Sequence, residues 1–183
     1  VDLVFEKDAL RAVAKKALLE YDMEVIGIED GYEGLVNERS RKLENSDVSG
    51  ILTLGGTILG TTKKINPYRY AIKKGDDFIF KDMSHKAIRY AKKLGLDCLV
   101  VIGGDGTLGI ANKLMNDGIP VVGVPKTIDN DILGTERTFG FDTATWIATE
   151  GIDRLHTTAQ SHHRVMVVEV MGHNAGWLAL ASG

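Results

Sequence analysis

Four times along this chain a short, unbroken run of mainly aliphatic residues leads into a polar or glycine-bearing turn. The runs are residues 51–54, 99–102, 121–124 and 165–170. A strand with one wet face alternates apolar and polar side chains, so unbroken runs imply strands buried on both faces. Between them lie helix-patterned stretches at 84–94, 107–116 and 143–155, with 9–21 before them and 175–181 after them. Strands alternating with helices predict an α/β chain, a doubly wound and mostly parallel sheet with helices on both faces. Ligands in such sheets bind beyond the carboxyl ends of the strands, which directs attention to the loops after residues 54, 102, 124 and 170.

The rest of the chain fits this frame. Leu10, Val13, Leu18 and Leu19 form the apolar stripe of the first helix, and residues 23–28 form a short β-prone run after it. Residues 63–82, with Asn66-Pro67 and Gly75-Asp76-Asp77 turn signals, are expected to be loop, and Ser84 is expected to cap the helix it opens. No internal repeat or low-complexity tract interrupts the pattern.

With 183 residues the chain is long enough for one domain with a sizeable core. It is 44% hydrophobic and 26% charged with a formal net charge of −3, an ordinary globular balance that signals no nucleic-acid partner. Its apolar runs fall far short of the roughly 20 residues that cross a bilayer, so no membrane partner is expected. Asp2, Glu6 and Lys7 open the chain without the basic flank and apolar core of a secretory signal, so a cytoplasmic address is expected. Cys98 is the only cysteine; within its apolar run it reads as a small buried side chain rather than a reactive thiol.

Chemistry concentrates in the loops. After 99–102 comes Gly103-Gly104-Asp105-Gly106-Thr107. Its glycines let backbone approach an anion, and the amides of the following helix favour phosphate. Asp105 has the wrong sign for phosphate alone, and a Mg²⁺ between carboxylate and phosphate oxygens reconciles the two. The plainer reading is a strand-to-helix turn whose Asp105 favours the helix dipole. After 121–124 comes Pro125-Lys126-Thr127-Ile128-Asp129-Asn130-Asp131. In an extended loop Asp129 and Asp131 would point the same way, beside a hydroxyl and a cation. One could take a proton, the usual aid in phosphoryl transfer, and the other could hold metal. The plainer reading is a solvated polar loop in which Asn130 or Asp131 supports a turn.

Two further turns are weaker. Met171-Gly172-His173-Asn174-Ala175-Gly176-Trp177 again brings backbone close to a ligand; His173 reads as a surface residue and Trp177 as core packing rather than a stacking platform. Gly55-Gly56-Thr57-Ile58-Leu59-Gly60 leads to Lys63 and Lys64, which could meet phosphate charge or simply be solvated.

In their order and spacing, the 103–107, 125–131 and 171–177 motifs resemble the phosphofructokinase family. Gly31-Tyr32-Glu33-Gly34-Leu35, Gly55 to Gly60 and Gly140-Phe141-Asp142-Thr143-Ala144 reinforce the likeness from about Met23 to Gly183. Diacylglycerol and NAD kinases are similar in the first motif only. The resemblance implies a Rossmann-like amino-terminal domain over residues 1–183 and the glycolytic transfer of a phosphoryl group from MgATP to the 1-hydroxyl of fructose 6-phosphate. It makes Asp129 the base, with Thr127 and Asp131 seating sugar and metal and Asp105 binding Mg²⁺. Gly104, Asp105, Gly106, Thr107, Lys63 and Lys126 would face the donor. Met171 and Gly172 would contact the sugar, and Arg164 would reach the sugar phosphate of a neighbouring subunit. That implies an allosteric homo-oligomer, a dimer or tetramer.

The donor signals are mixed. Gly106 is similar to ATP-using members and Lys126 to pyrophosphate-using ones; the pair favours ATP, with pyrophosphate as the alternative. The sequence departs from the family pattern in three ways. The opening Gly-Gly-Asp-x-Pro-Gly-x-Asn turn is not seen, Lys63 and His173 stand where arginines are common, and the second half of the family's length does not follow Gly183. A non-catalytic or incomplete half that needs a partner is therefore a second expectation.

Overall fold

The computed structural model describes residues 8–51, 56–62 and 65–183. Expectations for 52–54, Gly55, Lys63 and Lys64 lie outside the described residues. α1 (Asp8–Glu20) leads to β1 (Val25–Ile28), α2 (Tyr32–Asn37), β2 (Ser40–Leu43) and the one-turn α3 (Asn45–Val48). After a 3₁₀ turn at Pro67–Arg69 come β3 (Tyr70–Lys74), β4 (Asp77–Lys81) and α4 (Ser84–Lys93). β5 (Leu99–Gly103), α5 (Asp105–Asn116) and β6 (Val121–Thr127) follow, then β7 (Phe139–Gly140), α6 (Phe141–Ser161) and α7 (Trp177–Ser182).

The α/β class holds, and its parallel part is β5-β6-β7. Leu99 pairs with Val121 and Gly103 with Pro125, so the two strands run in step and deliver their loops to the same edge, β6 continuing two residues further to Thr127. Thr127 then pairs with Gly140. α5 provides the crossover that parallel neighbours require. It ends where Gly118, at φ +91°, lets the Ile119 amide reach back to the Leu114 carbonyl at 3.1 Å. Leu114 and Ile119 then join Leu35, Val36, Ala87, Tyr90 and Ala91 in the main core, with Leu35 and Leu114 sealed from solvent. Ala87, Tyr90 and Ala91 on α4, with Leu94 at its carboxyl-terminal cap, follow the i, i+3, i+4, i+7 rule for one helix face.

Several expectations are corrected. β1 pairs antiparallel with β2. The expected loop at 63–82 holds an antiparallel hairpin, closed by Gly75 at φ +66° between Lys74 and Asp77. The amino end of α4 is capped not by Ser84 but by Asp82, whose carboxylate accepts the Ser84 amide at 2.8 Å. Cys98 is exposed. So is Trp177, at 52%, because α7 packs on α6 through Leu178 and Ser182 instead.

Residues 165–170 form no strand. A strand exists only by pairing with an edge, and no described strand offers one here; Val165 and Val167 are 93% and 94% exposed. α6 runs past the expected residue 155 to Ser161, where His163 takes a left-handed turn (φ +51°) and the Arg164 amide caps the Ala159 carbonyl at 2.9 Å. Among the described residues, no helix is long and apolar enough to cross a membrane.

Candidate active site

The first loop is shaped by what glycine omits. A Cβ on Gly103 would come within 2.6 Å of the Thr107 side chain, so only glycine lets β5 turn this tightly into α5. Gly104 remains extended and caps α5, its carbonyl accepting the Leu108 amide at 3.0 Å. The amides of the helix's first turn have no partner within the helix and suit an anion. Asp105 stands exposed in that turn. Gly106 is different: a Cβ there meets nothing within 4 Å, so the fold does not demand glycine and the space above the turn is open. Thr107 is anchored from α2, where the Tyr32 hydroxyl donates to its carbonyl at 2.8 Å.

The second loop is not extended as expected, so the two-residue alternation no longer sets where Asp129 and Asp131 point. Asn130 between them has φ +52°, and a left-handed residue breaks the two-residue alternation of an extended chain. Asp129 is half-buried and Asp131 exposed. The Thr127 hydroxyl donates to Asp129 Oδ2 at 3.1 Å and accepts the Asp129 amide at 3.1 Å. The Asn130 side chain accepts the Thr138 amide at 2.9 Å, and the Thr138 hydroxyl donates to the Thr127 carbonyl at 2.7 Å. Asn130 was legible as a turn residue. Thr138 and Tyr32 were not assigned, because only the pairing of distant segments reveals them.

The two loops meet. A Cβ on Gly104 would lie 3.7 Å from Thr127 Cβ and 3.8 Å from the Lys126 carbonyl, so the glycine turn lies directly against the Thr127–Asp129 turn. Lys126 is half-buried in β6, beside Phe139 of β7. In the third loop the Ala175 amide closes on the Gly172 carbonyl at 2.8 Å, and beyond it Thr149 of α6 bonds the Ser182 carbonyl of α7. Gly172 is required, since a Cβ would come within 2.5 Å of the Ala175 carbonyl oxygen. Met171 and Arg164 are exposed, and His173 is a surface residue at φ +51°.

No group of three or more His, Cys, Asp or Glu among the described residues gathers to hold a metal. Mg²⁺ does not need one, because one or two carboxylates plus substrate phosphates suffice. An exposed Asp105 beside helix-start amides that suit an anion fits that requirement.

The phosphofructokinase family model matches residues 7–183. The chain belongs to the phosphofructokinase family. It is 55% identical over 175 residues to a protein of Clostridium perfringens named ATP-dependent 6-phosphofructokinase 2, covering 95% of this chain and 48% of that protein. It is 51% identical over 174 residues to a pyrophosphate–fructose 6-phosphate 1-phosphotransferase of Amycolatopsis mediterranei, with coverages of 95% and 48%. Among solved structures it is similar to a Pichia pastoris phosphofructokinase in the T-state, with TM-score 0.81 and 33% identity, covering 96% of this chain and 19% of that one. The chain thus spans about half the length of these curated relatives. As a phosphofructokinase domain, it presents the glycine turn and the Asp129 turn at one sheet edge.

Proposed function

We propose that this chain is the amino-terminal, donor-binding half of an ATP-dependent 6-phosphofructokinase, which phosphorylates the 1-hydroxyl of fructose 6-phosphate. The observation that carries the reading is the contact of Gly104 with Thr127. It sets an anion-binding turn against a carboxylate held by a hydroxyl.

In the proposed reaction, Gly104, Gly106 and Thr107 receive the donor phosphates at the start of α5, with Lys126, and Lys63 by the family resemblance, as cations toward the donor. Asp105 holds Mg²⁺, which when bound neutralises charge on the phosphoryl oxygens. Asp129 takes the proton of the sugar hydroxyl. Thr127 orients that carboxylate by its hydrogen bond, and Asp131 helps to seat sugar and metal. Met171, Gly172 and Arg164 complete the sugar site, with Arg164 serving a neighbouring subunit of a homodimer or homotetramer.

Support for ATP comes from the open space over Gly106 and from relatives named ATP-dependent. A relative at 51% identity named for pyrophosphate keeps that donor as the rival. A second reading, a half that binds ligands but needs further chain to turn over, is favoured by the bare valines of 165–170. Val165 and Val167 are 93% and 94% exposed and pair with no described strand.

The test is fructose 6-phosphate phosphorylation with MgATP and Mg-pyrophosphate as separate donors, in this chain and in any longer polypeptide that carries it. Product from ATP supports the proposal, and product from pyrophosphate alone overturns the donor. Product only from the longer polypeptide assigns this chain the role of half-enzyme. No product in either overturns the activity.

A further inference from the structure

We infer that Asn130 and Thr138 are positioning residues that hold Asp129 at its working geometry, an inference that rests on the reading of Asp129 as the base. The chain leaves the sheet after Thr127 and returns beside it as β7, so residues 128–138 form a loop with adjacent ends. Asn130 ties its two limbs: Oδ1 accepts the Thr138 amide at 2.9 Å, and Nδ2 donates to the Glu136 carbonyl at 3.3 Å. It does so from a left-handed backbone that few residues other than glycine adopt, and that asparagine tolerates when its side chain bonds locally.

Thr138 pins the returning limb. Its hydroxyl has one hydrogen to give; the 2.7 Å contact to the Thr127 carbonyl takes it, leaving the 3.4 Å approach to Asn130 Oδ1 without one. Thr138 is 3% exposed, so it sits under the loop, out of reach of a substrate. The residue it pins is the one whose hydroxyl holds Asp129 at both Oδ2 and the amide. Asp129 therefore lies between two anchors, Thr127 and Asn130, that both end on Thr138. Rotating the carboxylate away requires breaking a hydrogen bond to Thr127 or moving a backbone locked from below. Misplacement by about 1 Å can cost on the order of 100-fold in rate, which makes such a brace matter to turnover.

The test uses a polypeptide containing this chain that phosphorylates fructose 6-phosphate. Thr138→Val keeps the shape and removes the hydroxyl; Asn130→Gly keeps the backbone freedom and removes the amide. Each should lower kcat about 10- to 100-fold while KM for fructose 6-phosphate stays within about threefold, and Thr138→Ser should restore kcat to within about threefold of the parent. In an Asp129→Ser background neither substitution should cost anything more, because no carboxylate is left to position. Parental kcat in both variants would overturn the inference. So would an equal loss with and without Asp129, the mark of a general weakening of the fold. If Thr138→Val does not fold, Asn130→Gly carries the same comparison. Should Asp129→Ser itself keep parental turnover, the base assignment falls and the brace with it, an outcome distinct from failure of the brace alone.

Discussion

Tyr32 on α2 donates its hydroxyl to the carbonyl of Thr107 at 2.8 Å, joining residues 75 positions apart and tying α2 to the first turn of α5. Burial pushes the Tyr32 phenol above its ordinary value of 10.0, so it remains a donor throughout the physiological range. A folded pKa above the unfolded one contributes stability that is fully present below about pH 10 and is lost as pH rises toward the folded value. Tyr32→Phe should lower stability by about 0.5–1.5 kcal/mol at neutral pH and blunt the alkaline fall. Chemical denaturation at neutral pH and above about pH 10 checks both, and a variant with the parent's alkaline profile counts against the assignment.

Asp129→Ser should reduce turnover by about 10²- to 10⁴-fold in any active polypeptide containing this chain, because that is the usual contribution of a general base. Sugar binding, followed by calorimetry, should change little. Turnover at the parental rate would show that another group takes the proton.

Gly106→Asp separates fold from donor choice. Nothing lies within 4 Å of a Cβ there, and the position is in the first turn of α5. Replacing a helical glycine relieves up to about 1 kcal/mol, and a first-turn carboxylate adds about 0.3–1 kcal/mol through the helix dipole. The variant should melt no lower than the parent and yet use ATP at least about tenfold less well, since the new carboxylate faces phosphate charge. Undiminished ATP use would remove Gly106 from the donor site.

At Gly103 the same kind of change should have the opposite effect on the fold. An added Cβ meets the Thr107 side chain at 2.6 Å, so Gly103→Ala should destabilise by about 1–3 kcal/mol, as overpacking does. Equilibrium unfolding checks it; a neutral result would mean that the backbone at Thr107 can shift aside.

In acid the chain should lose stability through capping carboxylates. The Glu44 amide, and then Arg41, hold Asp47 below its ordinary value of 3.8, while the Ser84 hydroxyl and amide do the same for Asp82. Carboxylates with lowered folded pKa values stabilise above the unfolded value, and this is lost as pH falls through the folded one. Thermal midpoints measured from about pH 4 downward should fall more steeply in the parent than in the Asp47→Asn, Asp82→Asn double variant.

Much of the site could be read from residue order. Glycines at 103, 104 and 106 before a helix announce an anion site because the requirement is local: backbone that can turn, then free amides. The helices at 84, 107 and 143 were legible for the same reason, since their periodicity and turn residues lie within one segment. The strand expected at 165–170 was not realised because pairing is not local, and Val165 and Val167 find no partner among the described strands. The Gly75 hairpin was missed because its second strand, β4, is exposed throughout and carries no buried face to pattern it.

Sequence alone therefore determined the family, the α/β class and the residue types available to the chemistry, because each depends on spacing along the chain. Only the tertiary structure decided that Gly104 lies on Thr127, that Asn130 takes a left-handed turn between Asp129 and Asp131, and that Thr138 locks the loop from below. Those relations depend on β5 and β6 pairing in one register, a non-local choice set by core packing and by the edges available to each strand.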